Sequence, residues 1–134
     1  MRKYFTVEEA NRTLPLVRRI VDDIVSAHAE LTERIAAYRS LPGDAGEEER
    51  RRLEGEIEGR REAIEGCIAE IHELGALFKG VEEGLVDYYA MLEERPVFLC
   101  WRLGEERIEW WHELEAGYTG RQRLPEHLLV GSGN

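Results

Sequence analysis

The sequence predicts an α+β fold, in which a long antiparallel, coiled-coil-like helical hairpin carries a small three-stranded antiparallel β-sheet packed at its base. Three observations lead to this prediction. Apolar residues recur with alternating three- and four-residue spacing in two long segments, which is the pattern of a helical seam. The stretch LPGDAGEE separates the two segments with one proline and two glycines. After residue 84 the pattern changes to short alternating runs rich in β-branched and aromatic residues.

The size and charge of the chain limit what it can be. Its 134 residues suffice for a single domain with one core. We expect a hairpin with a short N-terminal helix over residues 6–79, a β-meander over 84–113, and a C-terminal loop and tail over 114–134. The net charge of −10 argues against nucleic acid as a partner, because phosphate-backbone binding needs clustered positive charge.

The cysteine content and the apolar pattern indicate the compartment. Two cysteines are too few for a disulfide framework and are typical of a reducing cytoplasm. The N-terminal residues have no apolar signal-peptide core, and no apolar run approaches membrane-spanning length. We therefore expect a cytoplasmic protein that does not associate with membranes.

The first helix begins with a capping box formed by Thr6 and Glu9. Pro15 donates no hydrogen bond and its ring clashes with the preceding turn, so a short helix is expected to end before it. A second start with Thr13 as N-cap places Pro15 in a first turn, where the missing N–H costs nothing. The seam of this helix then runs through Leu14, Val17, Val21, Ile24, His28, Leu31, Ile35 and Tyr38.

The second helix repeats the seam. Its members are Leu53, Ile57, Arg60, Ile64, Cys67, Ile71, Leu74 and Phe78. Folding the two helices together about Asp44 places His28 and Arg60 in one layer. Either these side chains reach solvent or pair with Glu30 or Glu56 and set the register, or they face an anion supplied by a partner or ligand. The first interpretation is favoured, because single polar seam residues often set register.

The hairpin is uneven along its length. Near the base the apolar stripe widens to include Leu16, Ile20, Val25 and Ile68, so a second layer must cover it there, whereas the tip is thin and rich in charge. Opposite the seam of the second helix, one stripe carries Gly55, Gly59 and Gly66. This stripe either admits a helix from another protomer or faces solvent.

Three strands are expected after the hairpin, in LVDYYAM, PVFLCWRL and RIEWWHE. If Leu103 pairs with Ile108, one sheet face carries Val97, Leu99, Trp101, Ile108, Trp110 and His112. The other face then carries Phe98, Cys100, Arg102, Glu109 and Trp111, with Arg102 opposite Glu109. Both faces are rich in apolar groups, so the C-terminal HLLV segment or a second subunit must cover the face that does not lie on the hairpin.

Five polar residues around this sheet are the candidate site: Asp87, Arg102, His112, Tyr118 and Arg121. Aspartate is unusual within a strand, so Asp87 either pairs with an arginine or orients His112. His112 is either bonded to a backbone carbonyl or acts as an acid–base group or metal ligand. The glycine-rich loop before Arg121 can present N–H groups and a guanidinium to an anion.

The spacing of the cysteine and histidine residues gives little support for metal binding or thiol catalysis. There is no CxxC or HExxH pattern and the histidines are scattered, so no metal site is predicted. Nucleophilic catalysis would need Cys100 beside His112, and the expected strand register puts them on opposite faces. The sequence identifies no cofactor.

Several blocks of sequence, FTVEEAN, EEGLVDYYA, CWRLGE and WWHELEAGYTGRQ, resemble those of a prokaryotic family of small proteins, domain of unknown function 2203. The resemblance spans nearly the whole chain. The family commonly has phenylalanine where this chain has Tyr88 and Tyr118, which preserves the aromatic character. The recurrent motif positions of the family correspond here to Glu9, Asn11, Pro15, Gly75, Gly84, Asp87, Trp101, Arg102, His112, Gly117 and Arg121. The resemblance implies no particular activity.

Two classes of function follow. The leading prediction is a non-catalytic assembly or interaction module that forms a homo-oligomer. The alternative is a protein or enzyme that binds a small anion or a metal where the sheet meets the hairpin base. There, Arg102 and Arg121 would hold the anion beside Tyr118, while His112, oriented by Asp87, exchanges a proton. Convergence of these five side chains on one pocket would distinguish the second class from the first.

Overall fold

The computed structural model describes residues 2–130, and for Val130 the backbone alone. Two long helices come first, α1 over Val7–Arg39 and α2 over Glu47–Glu73. An antiparallel sheet follows, with β1 over Ala76–Gly80, β2 over Leu85–Leu92, β3 over Arg95–Arg102, β4 over Trp110–His112 and β5 over Gln122–Arg123. A 3₁₀ turn, Tyr118–Gly120, precedes β5, and a short helix α3 spans Glu126–Val130. Residues 131–134 of the predicted tail lie outside the described residues.

The predicted α+β architecture, a helical pair with an antiparallel sheet, is confirmed. Among residues 2–130, however, the sheet has five strands in the order β1-β2-β3-β4-β5, rather than the three expected. The two additional strands lie at its edges, where each pairs with one neighbour only. None of the helices in this part of the chain combines the length and the apolar character that a membrane crossing requires.

The first helix is continuous through Pro15, so the predicted break before it is wrong. The capping box is present, since Glu9 N donates to Thr6 Oγ1 at 3.0 Å and Thr6 N donates to Glu9 Oε1 at 2.9 Å. Thr13 is not a cap: its hydroxyl bonds the Ala10 carbonyl and the Tyr88 hydroxyl, each at 2.7 Å. The helix continues because apolar residues on both sides of the proline bury in the same core, which outweighs one missing hydrogen bond. These residues are Ala10, Leu14, Val17, Ile20, Val21 and Ile24.

The second helix ends earlier than predicted. Its last residue is Glu73, and the segment expected to continue the helix to Phe78 is strand β1 instead. Gly75 has φ of 96°, a conformation that leaves the helix and that side chains other than glycine rarely adopt. Beyond it, Ala76 pairs with Tyr88 and Phe78 pairs with Val86, so the apolar groups that matched a helical seam pack at strand spacing.

The hairpin is wide at its base and thin at its tip, as predicted. In the two long helices, the buried residues beyond Ile24 are Leu53 and Ile71 only. Arg60 Nε bonds Glu30 Oε1 at 3.2 Å, which is the register-setting pairing that the sequence favoured, while His28 is exposed. A second pair, Arg34 with Glu56 at 3.1 Å, links the helices nearer the tip.

The sheet register differs by one residue from the prediction. Leu103 does not pair with Ile108; instead Cys100 pairs with Trp110 and Phe98 with His112. A one-residue slip moves every side chain of a strand to the opposite face. The face towards the helices carries Val86, Tyr88, Ala90, Val97, Leu99, Trp101 and Trp111, which share one core with α1. The outer face carries Asp87, Tyr89, Phe98, Cys100, Trp110 and His112.

A hydrogen bond in the connection before β4 accounts for the shift in strand register. Ile108 is fully buried and its N–H donates to Asn11 Oδ1 at 2.8 Å, so this residue is bound to the helix instead of to Leu103. The predicted pair of Arg102 with Glu109 is consequently wrong. Glu109 instead forms an ion pair with Arg107 at 3.1 Å.

Gly84, just before β2, occupies a position that should tolerate no side chain. Its φ is 67°, and a Cβ there would lie 2.8 Å from Leu103 Cβ and 3.1 Å from Val21 Cγ1. We expect Gly84→Ala to lower the free energy of unfolding by about 2–4 kcal/mol, through backbone strain and overpacking together. Urea denaturation followed by circular dichroism measures this change.

Gly104→Ala is the matched control for Gly84→Ala. Gly104 has φ of 106°, but no described atom lies within 4 Å of a Cβ placed there. This variant therefore carries backbone strain without the steric contact and should cost clearly less. Equal losses in the two variants would show that the contact with Leu103 contributes nothing.

Candidate functional site

Three neighbouring strands bring Asp87, Cys100 and His112 together on the outer face of the sheet. Asp87 of β2 stands directly opposite Cys100 of β3, and His112 of β4 lies diagonally across from Cys100. All three are buried, with relative exposures of 4%, 1% and 2%. One carboxylate oxygen, the thiol sulfur and one imidazole nitrogen all lie within 4.8 Å of one another.

Both ring nitrogens of His112 contact protein oxygens. Nδ1 lies 2.7 Å from the backbone carbonyl of Glu113, and Nε2 lies 3.2 and 3.1 Å from the two carboxylate oxygens of Asp87. A carbonyl oxygen only accepts, so Nδ1 must carry a hydrogen. If the ring is neutral, Nε2 therefore presents a lone pair to a carboxylate. Two facing acceptors repel, so a cation, either a proton or a metal ion, belongs between His112 and Asp87.

Burial is the largest influence on the pKa values of Asp87 and Cys100. It raises the pKa of Asp87, although His112, Cys100 and Lys79 act in the opposite direction. Burial, followed by the neighbouring Asp87 carboxylate, raises the pKa of the Cys100 thiol to about 12, with Arg121 opposing the shift. At neutral pH the Cys100 sulfur is therefore a thiol unless a metal ion displaces its proton.

A pocket of about 240 Å³ opens onto this cluster. Its lining combines strand residues with residues of the loop after β4. The lining residues are Lys79, Leu85, Asp87, Phe98, Cys100, His112, Leu114, Gly117 and Tyr118. The C-terminal segment does not cover this face, since Leu129 belongs to the core shared with α1.

Two of the predicted site residues support the pocket from outside its lining. Arg102 Nη1 donates to the Tyr118 hydroxyl at 3.2 Å. Arg121 lies over the rings of Trp110 and Tyr118, at 5.1 and 5.0 Å, and donates to Glu105 Oε1 at 2.8 Å and to the Cys100 carbonyl at 3.1 Å. Arg121 is thus paired with Glu105 and packed against Tyr118, and its role in holding an external anion stays a prediction.

The sequence identified part of this site. Asp87, His112 and Tyr118 converge on the pocket, and Asp87 pairs with His112, which was one of the two expected arrangements. The location differs: the pocket is on the outer sheet face, away from the junction with the hairpin base. A separate cavity of about 610 Å³ lies at that junction, lined by residues including Asn11, Arg18 and Glu106.

Two pocket residues, Cys100 and Lys79, were missed. Cys100 was set aside because the expected register placed it opposite to His112. Its pairing with Asp87 in a β2–β3 hairpin was the signal that could have found it. Lys79 was missed because its segment matched a helical seam and was not recognised as strand β1.

Comparison with known proteins identifies the family of the chain. No curated protein and no solved structure is significantly similar to it. A family model matches residues 3–124, which include both long helices, all five strands and every residue of the Asp87–Cys100–His112 cluster. The chain therefore belongs to the family described as Uncharacterized conserved protein (DUF2203).

Proposed function

We propose that this is a metal-binding protein in which Asp87, Cys100 and His112 hold one divalent transition-metal ion at the base of a small-ligand pocket. The observation that carries the proposal is the convergence of three different buried ligand atoms within 4.8 Å on one sheet face. Thiolate, imidazole and carboxylate are the ligand types that zinc accepts together. The function is thus drawn from the second of the two predicted classes.

The separation of His112 from Asp87 is close to that expected around a tetrahedral ion. Zinc bonds of about 2.0–2.3 Å imply ligand atoms roughly 3.3–3.6 Å apart. The measured separation of Nε2 from the Asp87 oxygens, 3.1–3.2 Å, is within a few tenths of an ångström of this range. The three ligand atoms lie within 4.8 Å of one another, so side-chain rotation would have to adjust their separations around a bound ion.

The orientation of His112 also fits a metal ligand. Its Nδ1–H is held by the Glu113 carbonyl at 2.7 Å, so Nε2 is the nitrogen with a free lone pair. A backbone carbonyl on the distal nitrogen is a common support of metal-bound histidine, because it sets both tautomer and ring angle. A metal ion between Nε2 and Asp87 also replaces the repulsion of two acceptors by two coordinate bonds.

Three protein ligands leave one coordination position, and the pocket adjoins it. Catalytic zinc sites have this number of protein ligands, whereas structural zinc sites have four. An ion in such a site activates a bound water or polarises a ligand oxygen. Thiol nucleophilic catalysis is less well supported, since a thiol with a pKa of about 12 is a poor source of thiolate.

Titration with Co²⁺, a spectroscopic substitute for zinc, tests the proposal. We expect the protein to bind one equivalent and to develop a sulfur-to-cobalt charge-transfer band. Cys100→Ala should remove that band and weaken binding at least ~100-fold, because a ligand contributes more than the outer-shell groups whose loss costs about 10–100-fold. Far-ultraviolet circular dichroism verifies that the variant is folded.

Cys67→Ala is the matched control, since Cys67 is the other cysteine of the chain and lies half-buried on α2. It should leave both the stoichiometry and the band unchanged. Absence of Co²⁺ binding by the wild type, or equal binding by Cys100→Ala, would contradict the metal site.

Self-association is a separate proposal, carried over from the sequence. It is supported by Gly55, Gly59 and Gly66, where no described atom lies within 4 Å of an added Cβ, so this α2 face has room for a close-packed helix. The outer sheet face gives it little support, because Asp87, Phe98, Cys100 and His112 on that face are already buried within the chain. Native mass spectrometry measures the oligomeric state directly.

A further inference from the structure

We infer that the open coordination position takes the carboxylate of a short aliphatic acid, which Lys79 and Tyr118 help to hold. The inference rests on the proposed metal site and adds the class of its ligand. Three features of the pocket lead to it: an unbalanced positive charge, a hydroxyl donor free to point inwards, and an apolar wall.

The charge balance of the pocket favours an anion. A divalent ion is neutralised by the Asp87 carboxylate and the Cys100 thiolate, which leaves the metal site itself neutral. Lys79 lines the pocket from an exposed position on β1, and its ammonium lies 5.0 Å from the centroid of the Phe98 ring. Within residues 2–130 it forms no ion pair or hydrogen bond, and its charge lowers the pKa of Asp87. Once the Asp87 carboxylate is engaged by the metal ion, the charge of Lys79 is available to an anionic ligand.

Arg102 adds to this charge and prepares the hydroxyl donor. It has no carboxylate partner among the described residues, and its guanidinium donates to the Tyr118 oxygen at 3.2 Å. Because that oxygen accepts a bond from a cation, the Tyr118 O–H hydrogen must point elsewhere and is polarised as a donor. Tyr118 lines the pocket, so a carboxylate oxygen there receives this hydrogen.

The remaining wall selects a carboxylate with an apolar tail over phosphate. Leu85, Phe98 and Leu114 supply an apolar surface. The oxygens of a bound phosphate would lie against this surface without hydrogen bonds, which is unfavourable. The volume of about 240 Å³ corresponds to roughly eight water molecules at about 30 Å³ each. A chain of a few carbon atoms beyond the carboxylate fits this space.

Ligand titrations of the Co²⁺-loaded protein test the inference, because the visible bands of cobalt respond to a new ligand. Acetate and butyrate should both change the spectrum. Butyrate should bind about tenfold more tightly, since each buried methylene contributes roughly three- to fourfold. Loaded with one equivalent of Co²⁺, Lys79→Met should bind butyrate about 10- to 100-fold more weakly, the range for loss of one charge-assisted hydrogen bond.

Lys3→Met is the matched control, since Lys3 is the other lysine of the chain and its ammonium lies over the Phe5 ring. It should bind butyrate like the wild type. Unchanged butyrate affinity in Lys79→Met, or a spectral response to inorganic phosphate but not to the carboxylates, would overturn the inference and leave the metal site intact. Failure of the wild type to take up Co²⁺ would overturn the metal site and the inference together.

Discussion

Asp87→Asn should raise the free energy of unfolding of the metal-free protein at pH 7 by about 1–3 kcal/mol. Asp87 is 4% exposed, and its carboxylate faces the nitrogen of a ring whose other nitrogen is already a donor. Asparagine has the same shape, carries no charge, and donates an N–H to the Nε2 lone pair of a neutral His112. In the metal-free protein the hydrogen between the two residues must be taken up from solvent as a proton, whereas the amide supplies it without a charge. It should also abolish Co²⁺ binding, because an amide is a poor ligand for this ion.

The pH dependence of stability tests the physical cause. Burial raises the folded-state pKa of Asp87 above that of the unfolded chain, so the folded state prefers the protonated acid. That preference contributes its full stabilisation below the unfolded pKa of about 4 and is lost as the pH rises through the raised folded pKa. The wild type should lose stability over this interval, whereas Asp87→Asn lacks the titrating group and should not show this decline.

Urea denaturation between pH 4 and pH 8, with protein from which a chelator has removed metal, measures the gain in stability and its pH dependence. Asp44→Asn, at an exposed position in the turn between α1 and α2, is the control and should change stability by less than about 0.5 kcal/mol. A loss of stability in Asp87→Asn would mean that the His112–Asp87 pair stabilises the metal-free fold as an ion pair. A gain in stability with loss of metal binding is what a site selected for function would give.

Trp101→Ala should lower the free energy of unfolding by about 3–5 kcal/mol, the largest loss expected from a single core truncation here. Trp101 has no solvent exposure and lies on the sheet face that packs against α1. Its indole N–H donates to the Glu105 carbonyl at 3.0 Å, and the Arg18 guanidinium lies 5.9 Å from its ring. Truncation thus leaves a cavity between sheet and helix and frees the loop that follows β3.

Trp110→Ala provides a control with the same chemical change in a different setting. Trp110 lies half-buried on the outer face, stacked on Arg121. Its loss should cost no more than about 1–2 kcal/mol, since solvent can fill the space it leaves. Urea denaturation compares the two variants. Similar losses for Trp101→Ala and Trp110→Ala would contradict the assignment of the core to the helix-facing side of the sheet.

The candidate site was partly predictable, and one error accounts for most of what was missed. The sequence selected Asp87 and His112 because aspartate is rare in strands and histidine is versatile. It discarded Cys100 because pairing Leu103 with Ile108 puts Cys100 and His112 on opposite faces. The true register, Cys100 with Trp110, puts them on the same face. A one-residue slip has no local signature, and here it is decided by the bond from Ile108 N to Asn11 Oδ1, 97 residues away.

The sequence by itself determined the features that depend on near neighbours. The Thr6–Glu9 capping box, the two long helices and the strands around Asp87 and Cys100 follow from residue types a few positions apart. The tertiary structure decided the features in which two local preferences compete. Pro15 stays within α1, and Ala76–Gly80 becomes a strand, because burial against the shared core exceeds the local cost. The Asp87–Cys100–His112 cluster likewise exists only in the folded sheet, since its three residues come from three different strands.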